Sequence, residues 1–85
     1  MDLNLAYFSD LQILNFALAL EHLEVEFYHQ GLSNFTEQHF LDAGYPGWTR
    51  GRYEQILDHE KTHVDFLTAA ITAAGAKAVQ PCSYS

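Results

Sequence analysis

At 85 residues the chain is one domain at most, near the lower size at which a single core is stable, and 48% apolar residues exclude a disordered segment. A net charge of −7, with only Arg50, Arg52, Lys61 and Lys77 basic, argues against nucleic-acid and anionic-membrane partners. The single cysteine, Cys82, cannot form an internal disulfide, and no apolar run reaches the ~18–20 residues of a membrane span.

Met1 is followed by Asp2, with neither a basic n-region nor an apolar h-region, so no secretion signal is read. The first predicted helix begins near Asp10. Ser9 and Gln12 have capping-box spacing, and Phe8 and Ile13 flank them as a hydrophobic staple. A pattern rich in Leu, Ala and Glu then runs to Gln30, where Gly31 supplies a stop. At about 100° per residue, Asn15, Ala19, His22, Glu26, His29 and Gln30 share a polar arc. Leu14, Ala17, Leu18, Leu20, Val25, Phe27 and Tyr28 occupy the apolar remainder. Glu21 and Glu24 fall inside the apolar arc, whereas Glu26 does not. His22, Glu26 and His29 read as solvated surface rather than a metal cluster.

Residues 31–48 read as an irregular connection. Thr36 is predicted to cap a short helical turn through Phe40, Asp42-Ala43-Gly44 to end it, and Pro46-Gly47 to break the chain. A second long helix is predicted from Thr49 to Ala74, with Gly75 as its stop. Its apolar face holds Tyr53, Ile56, Leu57, Val64, Leu67, Ala70, Ile71 and Ala74, with Glu60 and His63 in the middle. Glu54, Asp58, Lys61 and Asp65 fall opposite. Residues 76–85, with Pro81 and Cys82, read as a tail without periodicity. Strand signals are absent, so the fold class is all-α, an antiparallel helical hairpin. Such a pair leaves apolar surface wet, and the simplest source of two more helices is a second copy of the chain.

The charges inside the apolar faces point to a metal, the alternative being a hydrogen-bonded core pair with its carboxyl protonated or a face open to water in a loosely packed bundle. An ionised carboxylate in an apolar interior costs several kcal/mol unless it is compensated. Glu21, Glu24 and Glu60 are the candidates. Lys61 points away from them, Lys77 lies in the tail, and Arg52 reaches no further than a bundle edge. A divalent cation accepts several oxygen ligands and favours the charged carboxylate. Glu60 and His63, three residues apart, project to one side of their helix, and Glu21 can meet them from the facing one. One glutamate helix and one Glu-x-x-His helix are half of a known bundle ligand set, and two chains related by a two-fold axis complete it. Glu24 is an extra ligand, a neighbour of the ligands or a solvated residue. Tyr28, two turns after Glu21, either hydrogen-bonds a site carboxylate or is a core tyrosine. His59, at the edge of its helix face, and His39, in the connection, have no assigned role.

The stretch from Ile13 to Tyr28 (ILNFALALEHLEVEFY) resembles the first helix of the ferritin-like domain in fungal stress-response and plant desiccation-related proteins. His59-Glu60-Lys61-Thr62-His63-Val64-Asp65-Phe66-Leu67 is similar to its second helix, and Pro81-Cys82-Ser83-Tyr84 to the segment that follows. The resemblance implies a first-helix glutamate ligand seven residues before a tyrosine, matched by Glu21 and Tyr28, and a Glu-x-x-His matched by Glu60 and His63. It also implies a second helix pair and, often, a secretion signal, neither of which is present in this half-length chain. The chain is therefore a short protein that forms a homodimer or higher homo-oligomer, or a piece of a longer one; the compartment stays open.

Two function classes follow. In the first, two chains hold two iron ions and carry out ferroxidase or peroxide-consuming chemistry. Oxygen ligands dominate and no thiolate is present, which favours iron over zinc and leaves manganese open. In the second, the fold serves as a non-catalytic helical structural or assembly module.

Overall fold

The computed structural model describes the backbone of residues 3–83 and the side chains of residues 10–83. Three helices follow in order: α1 Leu3–Asn34, α2 Glu37–Asp42 and α3 Thr49–Ala73. No strand occurs among the described residues, and the two long helices pack as a hairpin. The fold is all-α, as its periodicity indicates. No helix among the described residues is long and apolar enough to cross a membrane.

Helix α1 is longer at both ends than its end signals indicate. Its backbone is helical from Leu3, so Ser9 lies within the helix rather than ahead of it. The side chains of the capping box and staple at Phe8 and Ser9 lie outside the described residues. At the other end Gly31 is helical and Phe35 N donates to Gly31 O at 2.9 Å, closing the last turn. A mid-helix glycine costs only about 1 kcal/mol. Against that, the half-buried Leu32 packs, and Arg50 caps the end by donating Nη2 to Leu32 O at 2.9 Å and Nε to Phe35 O at 3.3 Å. The carbonyls left unpaired at a helix C-terminus are thus met by a cation.

Thr36 caps α2 as its sequence indicates, in a reciprocal box that gives His39 a role. His39 N donates to Thr36 Oγ1 at 3.3 Å, and Thr36 N donates to His39 Nδ1 at 3.0 Å. Gly44, at φ 89°, and Gly75, at φ 84°, take the left-handed conformation that ends α2 and α3. Rings tie the connection to the hairpin, with Tyr53 5.7 Å from Phe40 and 6.0 Å from Tyr28. Arg52 sits over the Trp48 ring at 5.9 Å.

On α1 the residues turned toward α3 recur at alternating steps of three and four: Leu11, Leu14, Leu18, Glu21, Val25, Tyr28 and Leu32, all buried or half-buried. On α3 the matching series is Tyr53, Leu57, Glu60, Val64, Leu67, Ile71 and Ala74. The opposite side of α3, with Glu54, Asp58, Lys61 and Asp65, is exposed. Helix α1 departs from its expected arc. Ile13, Phe16, Leu20, Leu23 and Phe27 form a second apolar series and are exposed, while Asn15, His22 and Glu26 are half-buried.

Asn15 and His22 are half-buried because residues 76–79 are no free tail. They run back as a strap along α1. Asn15 Nδ2 donates to Lys77 O at 3.1 Å, and its Oδ1 accepts from Val79 N at 2.9 Å. His22 Nε2 meets Val79 O at 3.0 Å; a carbonyl can only accept, so that nitrogen carries the proton. Ala78 packs on Leu18 and Ile71, the two fully buried large side chains. Cys82 is a free, exposed thiol. The radius of gyration is 16.9 Å, against about 12 Å expected for a compact chain of this length. The core is a thin line along one seam.

Candidate metal centre

The midpoint of that seam is where the two series place glutamates instead of aliphatics. Glu21 on α1 and Glu60 on α3 occupy stripe positions, with side chains 21% and 15% exposed. His63, one turn after Glu60, reaches them from the rim, with its Nδ1 3.7 Å from Glu21 Oε2 and 3.9 Å from Glu60 Oε1. One ligand atom from each of the three lies within 4.8 Å of the others. A cation ~2.1 Å from each ligand would hold such atoms roughly 3.0–3.5 Å apart, an adjustment of about an ångström that side chains of this length can make.

His63 corrects one expectation. Its side chain is 59% exposed rather than sunk in the apolar face. Its position on α3 lies about 60° beside the Glu60–Val64 stripe, which leaves the ring at the mouth of the cluster. Glu24 is likewise exposed rather than held inside an apolar arc. It stands outside the close three-residue group but next to it, within electrostatic reach of Glu60 and His63.

Tyr28 is not brought to the cluster. Seven residues of helix carry it about 10 Å from Glu21 along the axis. Its half-buried ring packs at 5.4 Å from Phe27 and 6.0 Å from Tyr53, and it makes no hydrogen bond to a site carboxylate. His59 and His29 are exposed.

The electrostatics are those of a site with too much negative charge. Glu21 Oε2 and Glu60 Oε2 are buried without a hydrogen-bond partner. The Glu60 carboxyl is pushed above its usual range, chiefly by hydrogen bonding with Glu21, with burial and the Glu21 charge adding; hydrogen bonding with Glu24 and the His63 charge oppose. Glu24 is also raised, chiefly by hydrogen bonding with Glu60, then by desolvation and the Glu60 charge, against His63. No lysine or arginine bonds to the cluster: Arg50 holds Glu54 and the end of α1, Arg52 stacks on Trp48, and Lys61 and Lys77 are exposed. Two orphaned oxygens with no cation among the described residues to meet them fit a metal ion, and the donor set of carboxylates and imidazole suits iron or manganese.

A family model described as a ferritin-like domain matches residues 9–85, nearly the whole chain. No curated protein and no solved structure matches.

Proposed function

The chain belongs to the ferritin-like domain family, and on that premise we propose that it is a carboxylate-bridged metalloprotein whose ligands are Glu21, Glu60 and His63. The observation that carries the reading is the pair of buried, partnerless oxygens, Glu21 Oε2 and Glu60 Oε2, on facing helices. Buried oxygens of this kind cost stability unless a cation or proton meets them. Glu24 stands at the mouth as an additional ligand. The proposed cofactor is a pair of iron ions, with manganese the competing metal. Bound iron supplies one-electron chemistry with dioxygen or peroxide, which makes ferroxidase or peroxide consumption in stress protection the activity proposed.

Three ligands from one chain leave a metal pair incompletely held. The cluster also borders an exposed apolar face that includes Leu20, Phe27 and Phe66. A second copy, related by a two-fold axis, brings the same three ligands to the other side. The chain's residues then divide the work. Glu21 and Glu60 hold the metals from inside the seam, His63 closes the cluster at its mouth, and the surrounding aliphatics exclude water.

The test is metal content per chain after purification without chelator, for the wild type and Glu60→Ala, followed by ferrous-iron oxidation. Stoichiometric metal in the wild type, lost in Glu60→Ala, supports the reading. An intact fold with no metal in either protein refutes it. Bound metal with no oxidation above background leaves the non-catalytic helical module as the function.

A further inference from the structure

The hairpin has two flanks, and the described residues cover only one. On the first, the strap lies over the seam. Ala78 sits on Leu18 and Ile71, with Leu14, Val64 and Leu67 packed around them. Asn15 and His22 latch it through both edges of its backbone, at Lys77 O, Val79 N and Val79 O.

At about 100° per residue, Leu20, Glu24 and Phe27 stand on the opposite side of the Leu18–Glu21–Val25 stripe from Asn15 and His22. His63, about 60° beside Glu60 on α3 and 3.7 Å from Glu21 Oε2 at the rim, lies on this second flank. Here Ile13 is 62% exposed, Leu20 46%, Phe27 70% and Phe66 71%. Side chains of this size leave roughly 500 Å² of apolar surface wet, about the apolar share of a standard interface that buries ~800 Å² in all on each partner. A contact made by the same face on both copies closes at two chains, whereas two unlike apolar faces on one molecule build open, head-to-tail assemblies.

We infer that the C-terminal strap acts as an assembly shield: it covers one flank so that a second copy of this chain docks only on the flank bearing Glu24 and His63. The inference rests on the two-chain reading of the metal site. The strap's part in it is to remove the competing face. Without the strap, Leu18 and Ile71 lose their cover, and each chain then presents two sticky flanks.

Native mass spectrometry and light scattering on the full chain test this, with wild type, Ala78→Glu and Leu20→Glu compared. Helicity by circular dichroism and exchange of the Val79 amide, which Asn15 holds, report whether the strap alone has been released. The wild type is expected to stop at two chains. Ala78→Glu is expected to keep its helicity, to exchange the Val79 amide at least about tenfold faster, and to form species that grow beyond two chains with concentration. Should Ala78→Glu lose helicity, Asn15→Leu removes two latch bonds without burying a charge and carries the same expectation. A released strap with assembly still stopped at two chains overturns the inference. Leu20→Glu, with the strap latched, probes the two-chain reading separately: monomers support it, and an unchanged two-chain species refutes it.

Discussion

Glu21 and Glu60 face one another across the hairpin, each with its Oε2 buried and met by no donor. Every other position in the two facing series is apolar or aromatic. The carboxylates therefore sit where leucines would stabilise the hairpin more, and a fold that keeps them there without compensation loses stability. If the layer holds metal as proposed, function and stability are opposed there.

That opposition predicts a variant of mixed sign. Glu60→Gln removes a charge from the cluster and offers Glu21 an amide donor. The metal-free protein is expected to gain about 1 kcal/mol, read from urea or thermal unfolding. The same variant is expected to lose metal-induced stabilisation, which in wild type amounts to about 2.7 kcal/mol at a hundredfold excess of metal over its dissociation constant. A Glu60→Gln protein less stable than wild type without metal would argue against the repulsion described here.

The pH dependence follows from the raised carboxyls. Glu60 and Glu24 hold protons more tightly in the folded chain than ordinary carboxyls do. A raised folded-state pKa gives a contribution fully present below the unfolded value and lost as pH rises through the folded one. Metal-free protein is therefore expected to lose stability as pH climbs just above the ordinary carboxylate range. Metal competes for the same oxygens, so its affinity is expected to weaken as pH falls through that window. Thermal unfolding between pH 4 and pH 7, roughly the span in which such groups titrate, with and without manganese, separates the two trends.

His63 separates binding from folding. Its side chain is 59% exposed and packs little. His63→Ala is expected to leave metal-free stability within about 0.5 kcal/mol, as surface substitutions do. Metal affinity is expected to drop at least about tenfold, because the variant lacks one of the three proposed ligands. Isothermal titration with manganese on the folded variant measures the second effect, and an unchanged affinity would remove His63 from the site.

Helix α3 was legible because its two sides differ in kind: Glu54, Asp58, Lys61 and Asp65 mark the wet one, and Glu60 declares itself by its place on the other. Helix α1 was not fully so. It carries apolar series on nearly opposite faces, and periodicity alone cannot say whether Leu18 or Leu20 meets α3. Nor can it rank a polar residue such as Asn15, whose burial comes from bonds to a segment more than sixty positions away. The strap left no sequence signal, since an extended segment held by its backbone and one alanine needs no repeat. Gly31 misled for the opposite reason: a local stop signal lost to Arg50, which caps the helix from across the hairpin.

Leu18 and Leu20 give the sharpest test of which series on α1 is the core. Leu18 is fully buried beneath the strap and against Ile71, and Leu20, two residues on, is 46% exposed. Both lie in the apolar arc by sequence, so pattern alone assigns them the same cost. The packing assigns different ones. Leu18→Ala opens a cavity between α1, α3 and the strap and is expected to cost about 2–5 kcal/mol. Leu20→Ala removes a half-wet side chain that touches no core cluster, so its intrachain cost is expected to stay below about 1 kcal/mol. At dilutions where chains are single, urea unfolding should show that gap directly. On the proposed two-chain reading, the Leu20→Ala deficit should grow as concentration rises, because that side chain would then be buried against the second copy, while the Leu18→Ala deficit should stay constant. Equal costs for the two variants at high dilution would mean that the hairpin packs through a different stripe, and Glu21 would then no longer face Glu60.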